Sequence, residues 1–318
     1  MKYKVYVDGQ EGTTGLKINE RLALRNDIEI LKIDSDKRKD TNERKKFINS
    51  ADIVFLCLPD AASVEAVSMI DLENKHTRVI DASTAYRTNP NWVYGLPELG
   101  EEYREKIKQA RFVANPGCYA TGFNLLVHPL VKKGLINSDY PITCHAVSGY
   151  SGAGKKAIEQ YEGEEGKSGR IKSPRFYGLG LKHKHLPEMK MVSNLDETPI
   201  FSPIITSVYQ GMIVAIPLYT KLMNKKMEPC ELHKFMAEYY NGQNFIKVMD
   251  FDSEVKFEDG LIDVTACNNT NNVQIFVYGN SEKIMLLARL DNLGKGASGA
   301  AIQNMNIMLG VDEKEGLI

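Results

Sequence analysis

The sequence predicts an α/β protein: a doubly wound parallel sheet, then a second α+β domain built on a largely antiparallel sheet. Three observations predict it. Strand-like and helical stretches alternate through the first third of the chain. Beyond Cys118 strand-like runs crowd together with few helices between them. The length, 318 residues, is too great for one ordinary core.

"KYKVYVDG" reads as the first strand, and "TGLKINERLALR" follows with Leu16, Ile18, Leu22 and Leu24 at helical spacing. "IEILKI", "ADIVFLCL", "TRVIDAS" and "ARFVAN" are further strands, with the helical "AASVEAVSMI" between the second and third of these. Alternation of this kind makes a parallel sheet of the Rossmann type. "YATGFNLLVHPLVKKG" is a helix that stops at Gly134. Then come the strand "ITCHAVSG", a loop rich in Gly and Lys, and the strand-like runs "IITSVY", "MIVAIPLY", "IDVTA", "VQIFVY" and "IMLLARL". One helix, "CELHKFMAEYY", interrupts them, and "GASGAAIQNMNIMLG" closes the chain as a helix.

Composition excludes several classes. At 43% hydrophobic and 25% charged the chain is ordinarily globular, and a net charge of -1 gives no field to draw nucleic acid or an anionic membrane. "GMIVAIPLY" is too short to span a bilayer and contains Pro217. No cationic start precedes an apolar stretch, so no secretory signal is expected. The five cysteines are odd in number and form no Cys-x-x-Cys, which argues against a disulfide framework and a zinc site. A cytoplasmic protein with free thiols is expected, with no metal, nucleic acid or membrane partner.

Three glycine-rich stretches carry the chemistry. "DGQEGTTG" sets Gly9, Gly12 and Gly15 after the first strand, with Thr13 and Thr14 opening a helix. Small residues there let a pyrophosphate approach, and the helix N-terminus offers free N–H groups. A plain Gly-rich turn is the weaker alternative. At the end of the second strand, "KIDSDKRKD" could bind a ribose in two ways. Asp34 would suit the 2′-OH of NAD; Ser35, Lys37 and Arg38 would receive the 2′-phosphate of NADP; a solvated turn also accounts for the run. "DASTAYR" ends the fourth strand with Ser83 and with Arg87, whose guanidinium can fork onto an anion. "SGYSGAGKK" and "DNLGKGASGAA" add two more glycine loops, with Lys155, Lys156 and Lys295.

In "VANPGCYATG", Cys118 follows Asn115-Pro116-Gly117 and opens an apolar helix. A thiol at a helix start has its thiolate favoured by the dipole, and the same N–H groups can hold an oxyanion. Cys57 and Cys267 read as buried apolar residues, the common fate of a lone cysteine. Cys144 and His145 are adjacent in a strand and point to opposite faces. Cys230 is the competitor, with His233 at i+3, but no glycine loop adjoins it. His183 and His185, in "GLKHKHLPEM", are the partners a nucleophilic cysteine would need; a surface loop accounts for them equally well when they are taken alone. Three glycine loops and a poised cysteine imply an anionic, phosphorylated substrate and a dinucleotide.

Taken together, "DGQEGTTG", "DASTAYR", "NPGCYATG", "SGYSGAGKK", "HKHLPE" and "DNLGKGASGAAIQNMN" resemble, in order and over nearly the whole chain, the shorter subclass of N-acetyl-gamma-glutamyl-phosphate reductases of arginine biosynthesis. The resemblance implies that Cys118 attacks the acyl phosphate to form a thioester, which NADP(H) reduces to the semialdehyde. It implies that His185 is the acid/base, with His183 the lesser candidate. Substrate binding falls to Arg87, Asn115, Ser148 and Lys295. Cofactor binding falls to Gly9, Gly12, Thr13, Thr14, Gly15, Ser35, Lys37, Arg38, Ser83, Ser151, Gly152 and Asn292. Residues 1–117 with 292–318 would hold the dinucleotide, and residues 118–291 the substrate and the contacts of a homo-dimer or homo-tetramer. Two other readings stand beside it: a related enzyme acting on aspartyl or aminoadipyl phosphate, and a nucleotide-binding regulator without chemistry.

Overall fold

A computed structural model describes residues 2–167 and 169–318. The chain divides into two compact units, Met1–Pro116 with Ala297–Ile318, and Gly117–Gly296. The units exchange at 116–117 and 296–297, where the sequence reading set 117–118 and 291–292. Among the described residues no helix is long and apolar enough to cross a membrane.

The first unit is built on strands β1 (Tyr3–Asp8), β2 (Ile28–Leu31), β3 (Ile53–Leu56), β4 (Arg78–Asp81), β5 (Val93–Tyr94) and β6 (Phe112–Ala114). They pair in parallel in the order β2-β1-β3-β4-β6-β5. Alternate residues of each strand feed opposite faces. Val5, Val7, Phe55 and Ile80 join one apolar layer with Ile18, Leu22 and Met305; Tyr6, Val54, Leu56 and Val79 join another with Ile33 and Ile48. Burial on both faces is why these strands read as continuous apolar runs.

The helices of this unit are α1 (Thr13–Leu22), α2 (Thr41–Ser50), α3 (Asp60–Ser68) and α4 (Glu101–Gln109). Two of them escape sequence reading. Helix α2 buries only Arg44 and Ile48, and α4 only Ile107, so neither shows an apolar stripe. Asp40 caps α2 by accepting from the Asn42 and Glu43 amides. In α1 the core contacts come from Gly15, Ile18 and Leu22, whereas Leu16 and Leu24 are 50% and 84% exposed. The expected stripe of Leu16, Ile18, Leu22 and Leu24 is therefore corrected to a narrower one.

The second unit opens with α5 (Cys118–Lys132), then β7 (Thr143–Gly149), α6 (Lys155–Glu162), α7 (Gly169–Lys172), β8 (Arg175–Phe176), α8 (Leu186–Val192), β9 (Ile200–Thr206) and β10 (Met212–Tyr219). It continues through α9 (Pro229–Tyr239), β11 (Ile246–Val248), β12 (Val273–Gly279) and β13 (Lys283–Leu290). The strands form one sheet in the order β11-β12-β13-β10-β7-β9-β8. The β7–β9 and β11–β12 pairs are parallel and the others antiparallel. The expected strand at 262–266 is instead a turn, where Asp263 accepts from the Thr265 amide and hydroxyl. Helix α5 lies on β10 and β13, and Gly122 permits the approach: a Cβ there would stand 2.7 Å from Val214 Cγ2. The last helix, α10 (Gly299–Leu309), returns to the first unit.

Candidate active site

In the first unit the glycine loop is a cradle of backbone. Gly9 has φ +85°, and a Cβ on it would meet the Cys57 carbonyl oxygen at 2.3 Å. The Gly12 amide donates to the Gly9 carbonyl at 3.1 Å, and Gly12 is the N-cap of α1 without any side-chain cap. Gly15 faces back onto the loop, where a Cβ would stand 2.4 Å from the Gly9 oxygen. Gly12 faces outward, its nearest neighbour 3.5 Å from such a Cβ.

Gly9 and Gly12 line a cavity of about 490 Å³ with Cys57, Arg38, Lys39 and Arg44. It lies beyond the C-terminal ends of β1 and β3, where the chain crosses from one half of the sheet to the other, the usual place for a ligand in an open parallel sheet. Arg44 is buried and donates from Nη2 to Asp8 Oδ2 at 2.9 Å and from Nε at 3.2 Å; Arg38 pairs with Glu11. Of the expected ribose-phosphate residues, Arg38 lines the cavity. Ser35 and Lys37 are exposed and lie outside its lining, and Lys39 occupies the place expected of Lys37. Thr13 and Thr14 form the first turn of α1, half-buried.

Beyond β4 lies a network that sequence reading saw only in part. Asp81 is fully buried and accepts from Ser63 Oγ and Ser83 Oγ, each at 2.6 Å. Burial pushes its carboxyl above the ordinary range, against the pull of the two serines and Arg87. Ser83 is thus a partner of Asp81. Arg87 is buried and donates from Nε to the Asn115 carbonyl at 2.9 Å and from Nη2 to the Ala82 carbonyl at 3.1 Å. The Asn115 side chain donates to the Ala297 carbonyl at 3.0 Å and accepts from Asn304 at 3.2 Å. Its amide ties α10 to β6.

In the second unit Cys118 is the first residue of α5, half-buried, behind the N-cap Gly117. No side chain caps this helix through Gly117, and its first intrahelical bond is Thr121 N–H to the Gly117 carbonyl at 2.8 Å. The leading N–H groups of α5 therefore have no acceptor within the helix. Glu188, buried on α8, accepts from the Gly117 amide at 3.1 Å. The rings of His183 and His185 pack on Tyr119, with centroids 5.7 Å and 5.9 Å away. His185 is buried and His183 half-buried; His183 Nδ1 accepts from the His185 amide at 3.1 Å, an assignment that leaves the proton on Nε2.

Tyr177 donates to the Tyr119 hydroxyl at 2.8 Å, and Tyr119 hydrogen-bonds Ser148. Burial pushes both phenols upward, so both stay protonated at neutral pH. Asn292 joins the glycine loops: it donates to Ser151 Oγ at 3.0 Å and accepts from the Gly211 amide at 2.8 Å, and a Cβ on Gly152 would lie 3.2 Å from it. Lys295 is fully buried, its ammonium 5.9 Å from the Phe245 ring. The competing thiol is plain: Cys230 is exposed, and His233 is bonded to the Met249 carbonyl at 2.9 Å. Cys57 and Cys144 are driven far up by burial. Among the described residues no cluster of His, Cys, Asp and Glu is placed to hold a metal ion.

Comparison with known proteins places this architecture. The semialdehyde dehydrogenase NAD binding domain matches residues 4–110, and the semialdehyde dehydrogenase dimerisation domain matches residues 118–292. N-acetyl-gamma-glutamyl-phosphate reductase 2 of Nostoc sp. is 48% identical over 322 aligned residues, 99% of each chain. The chain belongs to the N-acetyl-gamma-glutamyl-phosphate reductase family. The reductase of Brucella ovis is 45% identical over 98% of this chain and 100% of its own. Solved structures share the fold at low identity. Aspartate semialdehyde dehydrogenase from Francisella tularensis has TM-score 0.72 at 14% identity, covering 96% of this chain and all of its own. The Candida albicans enzyme, solved with NADP, has TM-score 0.65 at 15% identity, covering 97% and 99%.

Within this family frame, four residues lay beyond sequence reading: Arg44, Asp81, Tyr177 and Glu188. Arg44 sits in a helix with no apolar stripe. Asp81 lies inside "DASTAYR", and its burial was the missing fact. Tyr177 meets Tyr119 across 58 residues, which no spacing reveals. Glu188 stands inside the quoted "HKHLPE", where a carboxylate next to a proline looks like surface.

Proposed function

We propose that this chain reduces N-acetyl-L-glutamyl 5-phosphate with NADPH, giving N-acetyl-L-glutamate 5-semialdehyde and phosphate, the third step of arginine biosynthesis. One observation carries the chemistry: a half-buried thiol stands at the open start of a 15-residue helix, with two histidines packed on its neighbour Tyr119.

His185 takes the Cys118 proton, and the thiolate attacks the acyl carbon. The N–H groups at the start of α5 hold the developing oxyanion. The carbon–oxygen bond to phosphate breaks, inorganic phosphate leaves, and a thioester remains on Cys118. Gly9, Gly12 and Gly15 would hold the reduced dinucleotide, whose nicotinamide would supply the hydride. As the carbon–sulfur bond breaks and the aldehyde departs, His185 returns its proton to the Cys118 sulfur. Splitting the reduction at a thioester replaces one hard step by two easier ones. Tyr119 and Tyr177 keep this corner dry and donor-rich. Ser148, Ser151, Gly152 and Asn292 form the floor beside them. Arg87 holds the substrate's anionic end, with Asn115 fixing the backbone that Arg87 grips.

The cradle suits a dinucleotide: Gly12 leaves open space, and the α1 N-terminus favours a pyrophosphate. Arg38 and Lys39 in the cavity favour the 2′-phosphate of NADPH. Lys295, buried in the glycine loop that precedes α10, would meet the substrate's anionic end from within the fold. The protein works in the cytoplasm as a homo-oligomer. One face of the second sheet leaves Val147, Ile213, Tyr219 and Met285 at least partly open, side by side across β7, β10 and β13, and a second copy would cover it.

The test is NADPH oxidation with N-acetylglutamyl phosphate, run beside aspartyl phosphate and N-acetylaminoadipyl phosphate. The first should be turned over far faster. Preference for another acyl phosphate would reassign the substrate, and nucleotide binding without turnover on any would leave a regulator.

A further inference from the structure

We propose that Gly296 is a positioning residue for the Cys118 thiol, a role that rests on Cys118 being the nucleophile. A Cβ on Gly296 would stand 2.7 Å from Cys118 Cβ, 3.2 Å from its Cα and 3.1 Å from the Asp291 carbonyl oxygen. Gly296 is not among the positive-φ glycines, so its backbone conformation makes no demand for glycine. The demand is space, and the space is filled by the nucleophile. Its backbone lies directly against the Cys118 Cβ.

This backbone cannot retreat. Gly296 lies in a π-turn, Gly294–Ser298, a conformation common at functional sites. Its amide donates to the Asp291 carbonyl at 2.9 Å. The Asp291 carboxylate is buried and accepts from Leu293 N at 2.8 Å, Asn269 N at 2.7 Å and Gln210 Nε2 at 3.2 Å. Gly294 is pressed just as closely, since a Cβ there would meet the Thr270 carbonyl oxygen at 2.2 Å. A methyl group added at 296 therefore moves Cys118 rather than the turn. The thiol leaves the axis of the α5 N-terminus, where its thiolate is favoured.

The closing experiment reads the thiol directly. In Gly296→Ala, kcat should fall about ten- to a hundredfold, the scale of an ångström misplacement, with KM for NADPH within about twofold of wild type. Alkylation of Cys118 by iodoacetamide, followed against pH, should shift its midpoint to higher pH. That readout needs no turnover, so it stays valid even if Cys118 proves not to be the nucleophile; turnover by Cys118→Ser would show that failure separately. A stability cycle guards against a variant that folds poorly. Cys118→Gly removes the opposing Cβ, so the Cys118→Gly/Gly296→Ala double variant should recover melting temperature relative to Gly296→Ala. A wild-type alkylation profile in Gly296→Ala, or losses that simply add in the double variant, would overturn the proposal.

Discussion

The two glycine-rich sites are built on opposite principles. In the first unit the site is backbone and empty space: Gly9 and Gly15 press against main-chain oxygens, Gly12 faces a cavity, and side chains stand at its rim. In the second unit the site is side chain on side chain: Tyr119 touches Tyr177, Ser148, His183 and His185. A group that must bind and leave needs room and a field of N–H donors. A group that must form and break a covalent bond needs its neighbours held still. Substitutions should therefore fail differently in the two units.

The largest effect belongs to the locked site. Cys118→Ser exchanges a thiol for a hydroxyl of far higher pKa, so turnover should drop by several powers of ten, about 1.4 kcal/mol for each. Both ligands should still bind, because the cradle lies in the other unit. Wild-type enzyme given acyl phosphate without reduced cofactor should carry an acyl adduct on the Cys118 peptide, detectable by mass spectrometry after quenching. An adduct on the Cys230 peptide would end the assignment.

The histidines sharpen the same side of the comparison. His185→Asn should slow turnover about 100- to 10,000-fold, the range for a general acid/base, and flatten one limb of the pH profile. His183 already spends Nδ1 on the His185 amide. Its Asn variant should cost far less and leave both limbs in place. Equal losses would mean that the pair, and not His185, carries the proton.

The cradle breaks by filling. At Gly12 a leucine meets nothing closer than 3.5 Å at its Cβ and grows into the cavity. Gly12→Leu should abolish NADPH binding and leave the melting temperature near wild type. Gly15→Ala drives a methyl to 2.4 Å from the Gly9 oxygen, so it should cost stability, about 1–3 kcal/mol for an overpacked site. Calorimetry and cofactor titration on both variants separate the two glycines; a Gly12→Leu protein that binds NADPH normally refutes the cradle.

Sequence made the cradle more legible than the locked site, and the reason is distance along the chain. Gly9, Gly12 and Gly15 act within one strand–turn–helix, and Cys118 owes its place to the adjacent Pro116-Gly117 turn. Tyr119 and Tyr177 come together only through the order β10-β7-β9-β8, which strand patterns do not specify. The polar helices α2 and α4 were hidden because tertiary position, not an apolar stripe, makes them helices. The burial of Lys295 is also a fact of the fold: its glycine loop singles the residue out in sequence, and only the packing shows it fully enclosed.

The smallest effect lies at the cavity rim and decides cofactor choice. Arg38 pairs with Glu11 and lines the cavity with Lys39; Lys37 does not line it. If these two cations meet the 2′-phosphate, each contact is worth about 1.5–3 kcal/mol, as for hydrogen bonds to charged groups. Arg38→Ala should then weaken NADPH by about ten- to a hundredfold and leave NADH nearly unchanged, since NADH has nothing there to lose. Lys39→Ala should act in the same direction and less, because a lone ammonium cannot fork onto a phosphate. Lys37→Ala is the internal control and should change neither affinity. Raising salt should narrow the gap between the cofactors, because the rim is open to solvent and screened charges attract less. Titrating both cofactors against the three variants at two ionic strengths gives the answer. Equal weakening of NADPH and NADH by Arg38→Ala would move Arg38 from the 2′-phosphate to the shared pyrophosphate.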